Sequence, residues 1–387
     1  MTAARVLVVD DLEVNRELLS RRLTRMGHTV VCVNDGQQAV DRVRAEPWDL
    51  VLLDVMMPVL DGIGALTAIK GDPATQHVPV IMISANTEIE SVVKCIELGA
   101  DDYLPKPFDP VLLRARVGSS LEKKRFRDRE QAYSRRMQRD LEVGARIQRD
   151  FLPEDLPVVA GYEFAARFEP AREVGGDFYD AFALADGSVV LVLGDVCDKG
   201  VGAALFMALF RTLIRSGSVA QADDLSAATA EARVLNVVMR TNDYIALTHG
   251  RTNMFATLFV GTLDPASGTI AYVNGGHEPP RVVRPDGSIR TLLPPTGPAV
   301  GMLPGIPFGQ GAVTLEPGET LFVLTDGVTE SRSPAGVLLG DLAVDTLVQS
   351  GPRGADALLS EVLAAVMAHA AGEPAADDVT MLAVRRG

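Results

Sequence analysis

The chain has 387 residues, 47% hydrophobic and 23% charged, a balance that suits two or three soluble globular domains and excludes both wholesale disorder and a membrane bundle. Lys and Arg number 37 against 51 Asp and Glu, a formal net charge of −14, so binding to nucleic acid or to a membrane surface is not expected. Cys32, Cys95 and Cys197 form no CxxC pair. With no signal-like start and no apolar stretch approaching a membrane span, the expectation is a cytoplasmic protein in a reducing compartment.

From residue 6 to about 115, apolar runs alternate with amphipathic stretches. Strands are predicted at 6–9, 30–33, 50–53, 80–83 and 102–104, and helices at about 14–26, 36–45, 61–70, 88–98 and from about 109. Five strands each followed by a helix predict an α/β, parallel, doubly wound sheet. Near-continuous β-branched strands fit a sheet covered on both faces.

Residues 119–152 differ in character. Ten Lys or Arg against six Asp or Glu make this segment +4, leaving −18 for the rest of the chain. It lacks proline, and Tyr133, Met137, Leu141 and Ala145 recur every four residues. The pattern predicts a helical linker, either a solvated spacer or one half of a coiled coil in a homodimer. Pro153 ends it. From 153 to 387, short strands are separated by turns such as Ala185-Asp186-Gly187-Ser188, with helical patterns at about 200–216, 223–247 and 354–371. This predicts an α+β domain with largely antiparallel sheets.

Two sets of acids carry chemistry. In the first, Asp10 and Asp11 end strand one, Asp54 ends strand three, Ser84 ends strand four, and Lys106 follows strand five. The carboxyl ends of a doubly wound sheet converge on one crevice, so these residues should meet. Three carboxylates together suit Mg²⁺, with Asp54 as nucleophile toward a phosphoryl donor, Lys106 as a second positive charge and Ser84 as a hydrogen-bonding hydroxyl. The set resembles the receiver domain of two-component response regulators, over residues 1–118. That resemblance implies strand order 2-1-3-4-5, phosphorylation of Asp54 by a sensor histidine kinase, Tyr103 as the aromatic switch residue, the Met56 carbonyl as a Mg²⁺ ligand, and a cis Lys106-Pro107 bond.

The second set is Gly175-Gly176-Asp177, Gly194-Asp195-Val196-Cys197-Asp198-Lys199-Gly200, Thr325-Asp326-Gly327 and Asp377-Asp378-Val379-Thr380. Its donors are all oxygen and no histidine pair has zinc spacing, which favours two Mn²⁺ or Mg²⁺ ions able to acidify a bridging water. Gly175-Gly176-Asp177-Phe178 echoes the GGDEF loop of diguanylate cyclases, but Phe178 and Tyr179 break that pattern. The ordered set resembles the PPM family of metal-dependent Ser/Thr protein phosphatases, in its SpoIIE-like sporulation and stress-response branch, over 153–387. The resemblance implies that Asp195 bridges two metals, that Asp177 binds one or orients water, that Asp326 with Asp377 or its neighbour Asp378 binds the other, and that Val196 offers its carbonyl. Asn274-Gly275-Gly276-His277 resembles a recurring loop of that branch, and Ala145-Arg146-Ile147-Gln148 with Leu152-Pro153 the helix leading into it. Arg172 lies where relatives place a phosphate-binding arginine, though an exposed salt-bridging role fits its local sequence better; His277 is either a loop residue of the site or a plain turn residue. The implied substrate is a phosphoserine or phosphothreonine protein, such as an anti-sigma-factor antagonist. The competing expectation is an adaptor that keeps the phosphatase fold and binds a protein without turnover.

Overall fold

The computed structural model describes residues 3–85, 89–223 and 229–387. Two compact units divide at Met137 and Gln138.

The first unit runs β1 (Arg5–Val9), α1 (Glu13–Arg25), β2 (Thr29–Val33), α2 (Gly36–Ala45), β3 (Leu50–Asp54), α3 (Gly62–Gly71), β4 (Val80–Ser84), α4 (Ile89–Glu97), β5 (Asp102–Pro105) and the start of α5 (Pro110–Phe151). The strands form one parallel sheet in the order β2-β1-β3-β4-β5, as expected. Alternate residues of each strand face opposite sides. Leu7, Val9, Val51 and Leu53 pack with Val40, Leu66 and Ile69 of α2 and α3, while Val6, Val8, Leu50 and Leu52 pack with Leu19, Leu23, Leu113 and Val117 of α1 and α5. Asp35 and Asp61 cap α2 and α3 by accepting from the Gln38 and Gly64 amides. The predicted 88–98 helix matches α4, apart from Glu88, which lies outside the described residues.

The fifth receiver helix and the linker, expected as separate segments, form one 42-residue helix, α5. Nothing between 110 and 151 interrupts it: Gly118 and Gly144 are tolerated singly, and Pro153 follows its end. The predicted apolar stripe splits. Tyr133 and Met137 are 69% and 52% exposed, whereas Ala145 is buried.

The second unit continues with β6 (Tyr162–Glu169), β7 (Phe178–Ala183), β8 (Val189–Val196), α6 (Val201–Asp223), α7 (Ala230–His249), β9 (Ala256–Asp264), β10 (Thr269–Gly275), β11 (Arg281–Val283), β12 (Ile289–Leu292), β13 (Gly311–Thr314), β14 (Thr320–Leu324), α8 (Asp326–Thr329), α9 (Gly340–Ser350), α10 (Ala355–Ala370) and β15 (Val379–Arg386). Two antiparallel five-stranded sheets result, β13-β10-β9-β8-β7 and β12-β11-β14-β15-β6. Strand periodicity builds four layers. Val190 and Val192 meet Met207, Phe210 and Val234 of α6 and α7; Leu191, Leu193, Phe259, Leu321, Val323 and Leu382 fill the space between the sheets; Phe322, Leu324 and Met381 meet Val344, Leu359 and Val362 of α9 and α10.

Three expectations are corrected here. Helix α9 was not anticipated, because only Val344 and Val348 of its 11 residues are buried and the apolar signal is correspondingly thin. The 223–247 pattern corresponds to α7, which begins at Ala230, with 224–228 outside the described residues. The sequence does hold a stretch of membrane-spanning length and apolarity, Val201–Gln221 in α6. Its apolar residues Ala203, Met207, Phe210 and Ile214 face the β7–β8 layer, which gives that composition a use in the protein core.

Candidate functional site

At the carboxyl end of the parallel sheet, oxygens of Asp10, Asp11 and Asp54 lie within 4.8 Å of one another. Asp10 is fully buried and accepts from the Leu12 amide at 2.9 Å and the Asn15 side chain at 3.0 Å. Lys106 reaches both deep carboxylates, 2.9 Å to Asp10 and 3.0 Å to Asp54. Burial pushes Asp54 up, against the pull of Lys106. Burial pulls Lys106 down, but its two carboxylate partners outweigh that and hold it above its ordinary value. One ammonium thus serves two acids, leaving charge for a cation to balance. The Lys106–Pro107 peptide is cis. Ser84 is buried at the end of β4, and its carbonyl accepts from the Tyr103 hydroxyl at 3.3 Å. Met56, two residues after Asp54, is 75% exposed.

The second set converges from four distant segments of the other unit. Asp177 immediately precedes β7 and is buried; its Oδ2 accepts from Thr325 Oγ1 at 2.8 Å and Thr380 Oγ1 at 2.6 Å. Asp195, near the end of β8, lies close enough to Asp177 for its charge to raise that residue. Burial, then the charges of Asp326 and Asp377, pushes Asp195 up to about 7. Burial, Asp195 and Asp378 raise Asp177 well above the carboxylate range. Asp326, the first residue of α8, is raised by burial, Asp377 and Glu330, with Lys199 opposing. The four acids therefore sense one another's charge.

The neighbouring aspartates separate clearly. Asp378 is buried, and its carboxylate accepts from the amides of Ala171 at 2.8 Å, Gly176 at 2.7 Å and Asp177 at 3.3 Å. It clamps the loop that carries Asp177. Asp377 instead pairs with Lys199 at 2.8 Å and acts on both Asp195 and Asp326. Glycines permit the crossing of these loops: a Cβ on Gly327 would lie 1.9 Å from the Asp378 carbonyl oxygen, and one on Gly176 would lie 2.7 Å from that of Val196.

The receiver-domain profile matches residues 6–118, and the profile described as stage II sporulation protein E matches residues 185–387, more than half of the chain. The chain belongs to the SpoIIE family. Protein IcfG of Synechocystis sp. is 42% identical over 263 residues, covering 64% of this chain and 41% of that protein. Response regulator PleD of Caulobacter vibrioides is 43% identical over 117 residues, 30% of this chain and 26% of that protein. The chain thus spans less than half the length of these relatives. The SiaA-PP2C domain of Pseudomonas aeruginosa shares the fold of the second unit, with 20% identity and a TM-score of 0.52 over 66% of this chain and 98% of that domain.

In this SpoIIE-family chain a receiver is thus fused to a PP2C-like domain, and the donor chemistry of the second set fits divalent cations. Carboxylates raised by burial and mutual repulsion are the groups a hard cation restores to their charged form. Several contributors went unassigned in the sequence. Thr325 and Thr380 stand beside the Asp motifs, where their spacing could have marked them as partners. Gln148 of α5 is buried, donates to the Gly175 carbonyl at 2.7 Å and accepts its amide at 3.0 Å, tying the end of α5 to the Asp177 loop. Glu278, raised first by burial, also feels Asp326. His277 is not an exposed turn residue: it is buried, with Nδ1 2.9 Å from Thr257 Oγ1, and Thr257 pairs with Asp195 across β8 and β9. Arg172 is exposed.

Proposed function

We propose that this SpoIIE-family chain is a response regulator whose output is a metal-dependent phosphoserine/phosphothreonine protein phosphatase, with a receiver at 1–118, a helical linker at 119–152 and the phosphatase at 153–387. The observation that carries the reading is the buried Asp177–Asp195 pair set near Asp326 and Asp377, acids whose raised pKa values bound divalent cations would lower. Asp195, Asp177, Asp326, Asp377 and the Val196 carbonyl would hold two Mn²⁺ or Mg²⁺ ions. When bound, such ions lower the pKa of water and neutralise charge on a phosphate ester. Thr325 and Thr380 keep the Asp177 carboxylate oriented, and Asp378 holds its loop.

In the receiver, Asp10, Asp11 and the Met56 carbonyl would hold Mg²⁺. The Asp54 carboxylate attacks phosphorus of a histidine kinase's phosphohistidine; a P–O bond forms, the P–N bond breaks and the imidazole leaves. Lys106 neutralises the transferred group, and Ser84 with Tyr103 senses it. The continuous α5 and its Gln148 clamp support transmission through the linker, and exposed Phe126, Tyr133 and Met137 support pairing of α5 across a homodimer. The substrate class follows the family resemblance, with an anti-sigma-factor antagonist as the first protein to try.

The test is phosphate release from an aryl phosphate and from phosphoprotein with Mn²⁺, before and after acetyl phosphate treatment. Turnover lost in Asp195→Ala and an acetyl phosphate response lost in Asp54→Asn are expected. Binding of a phosphoprotein without any phosphate release would replace the enzyme by the adaptor.

A further inference from the structure

Lys199 has no part in the roles described so far. It sits in the turn after β8, where Asp198 adopts a positive φ of 73° and Gly200 one of 84°. A non-glycine residue in the left-handed region is uncommon and needs local support; here the Asp198 carboxylate accepts from the Lys199 amide at 2.8 Å. The turn sends the Lys199 ammonium to Asp377 Oδ2 at 2.8 Å and to the Ala376 carbonyl. Both side chains of the pair are only about two-thirds covered, 36% and 32% exposed, so the bond can open without a large rearrangement.

We infer that Lys199 is a tethered cation that competes with the divalent ion for Asp377, so that metal uptake at Asp326 and Asp377 displaces its ammonium. This rests on the phosphatase reading above. A carboxylate oxygen engaged by an ammonium is a poor ligand until released, and two positive charges next to each other repel. Lys199 therefore sets the metal concentration at which the site fills, and it neutralises Asp377 below that concentration. It is a positioning residue for a metal ligand.

The test uses the full chain carrying Asp11→Asn to weaken the receiver site. Mn²⁺ binding is titrated calorimetrically and by electron paramagnetic resonance of free Mn²⁺. Removing the charge while keeping the stem, in Lys199→Met, should tighten the Asp326-dependent site by about tenfold, because a positive charge that repels the ion is gone; Lys199→Arg should stay near wild type. In chelator, Lys199→Met should melt at a lower temperature than wild type, and saturating Mn²⁺ should close that gap. Lys199→Gln is a second neutral variant should the first not fold. Unchanged or weaker Mn²⁺ binding in the neutral variants, with the Asp326-dependent site present in wild type, overturns the role of Lys199 alone. Absence of any Mn²⁺ site sensitive to Asp326→Asn overturns the phosphatase reading with it.

Discussion

The two acidic sites of this chain solve the same electrostatic problem differently. In the receiver, three carboxylates from adjoining strand ends come within 4.8 Å, and one lysine bonds two of them. In the SpoIIE-family domain, four segments between residues 177 and 378 contribute, the lysine bonds Asp377 among the acids, and burial raises the central pair Asp177 and Asp195. No three acids there meet the receiver's closeness among the described residues. Parallel strand ends bring acids together by topology alone. The sandwich assembles its acids through loops that need their own clamps, namely Asp378, Thr325 and Thr380.

The comparison breaks most readily at the central pair. Asp177→Asn or Asp195→Asn should lower Mn²⁺-dependent phosphate release at least about 10²-fold, measured on an aryl phosphate, while leaving acetyl phosphate labelling of Asp54 intact; loss of labelling as well would mean that the two sites are not independent in chemistry.

Next in size is the clamp. Asp378→Ala strands the buried amides of Gly176 and Asp177 and removes charge-assisted bonds, and should cost about 4 kcal/mol in the denaturant unfolding of the second unit; a cost under about 1 kcal/mol would demote Asp378 to a bystander.

A smaller, pH-dependent effect sharpens the contrast. Burial lowers His277 to about 4, below its unfolded value of 6.5. Between those values the unfolded chain binds the proton and the native one does not. Stability from this group is therefore complete above about pH 6.5 and is lost as pH falls toward 4, by about 3 kcal/mol in all. Unfolding of the second unit followed by amide hydrogen exchange across that window should show the slope in wild type and lose it in His277→Gln. Smallest of all, Arg172→Ala is expected to change phosphate release less than about twofold and stability by under about 0.5 kcal/mol, because its side chain is exposed; a tenfold rise in KM would restore it as a phosphate contact.

Much of the receiver was legible in the sequence because β1, β3 and β4 are buried on both faces, read as unbroken apolar runs and lead directly to Asp10, Asp54 and Ser84. The sandwich was legible in outline, its Asp-Gly motifs following apolar strands. What escaped is instructive. Helix α9 buries two side chains and so leaves little periodic signal. The fifth receiver helix and the helical linker run on as one helix, α5, since no residue near 118 opposes it.

By itself, the sequence determined the order of the elements, the two sets of acids and the oxygen-only character of both, since these depend on local periodicity and on residue identity. Only the tertiary structure decided that Asp378 accepts loop amides while Asp377 pairs with Lys199, and that His277 is buried beside Thr257. Each of those depends on where loops far apart in the chain cross, and a loop crossing is set by packing that no single segment encodes.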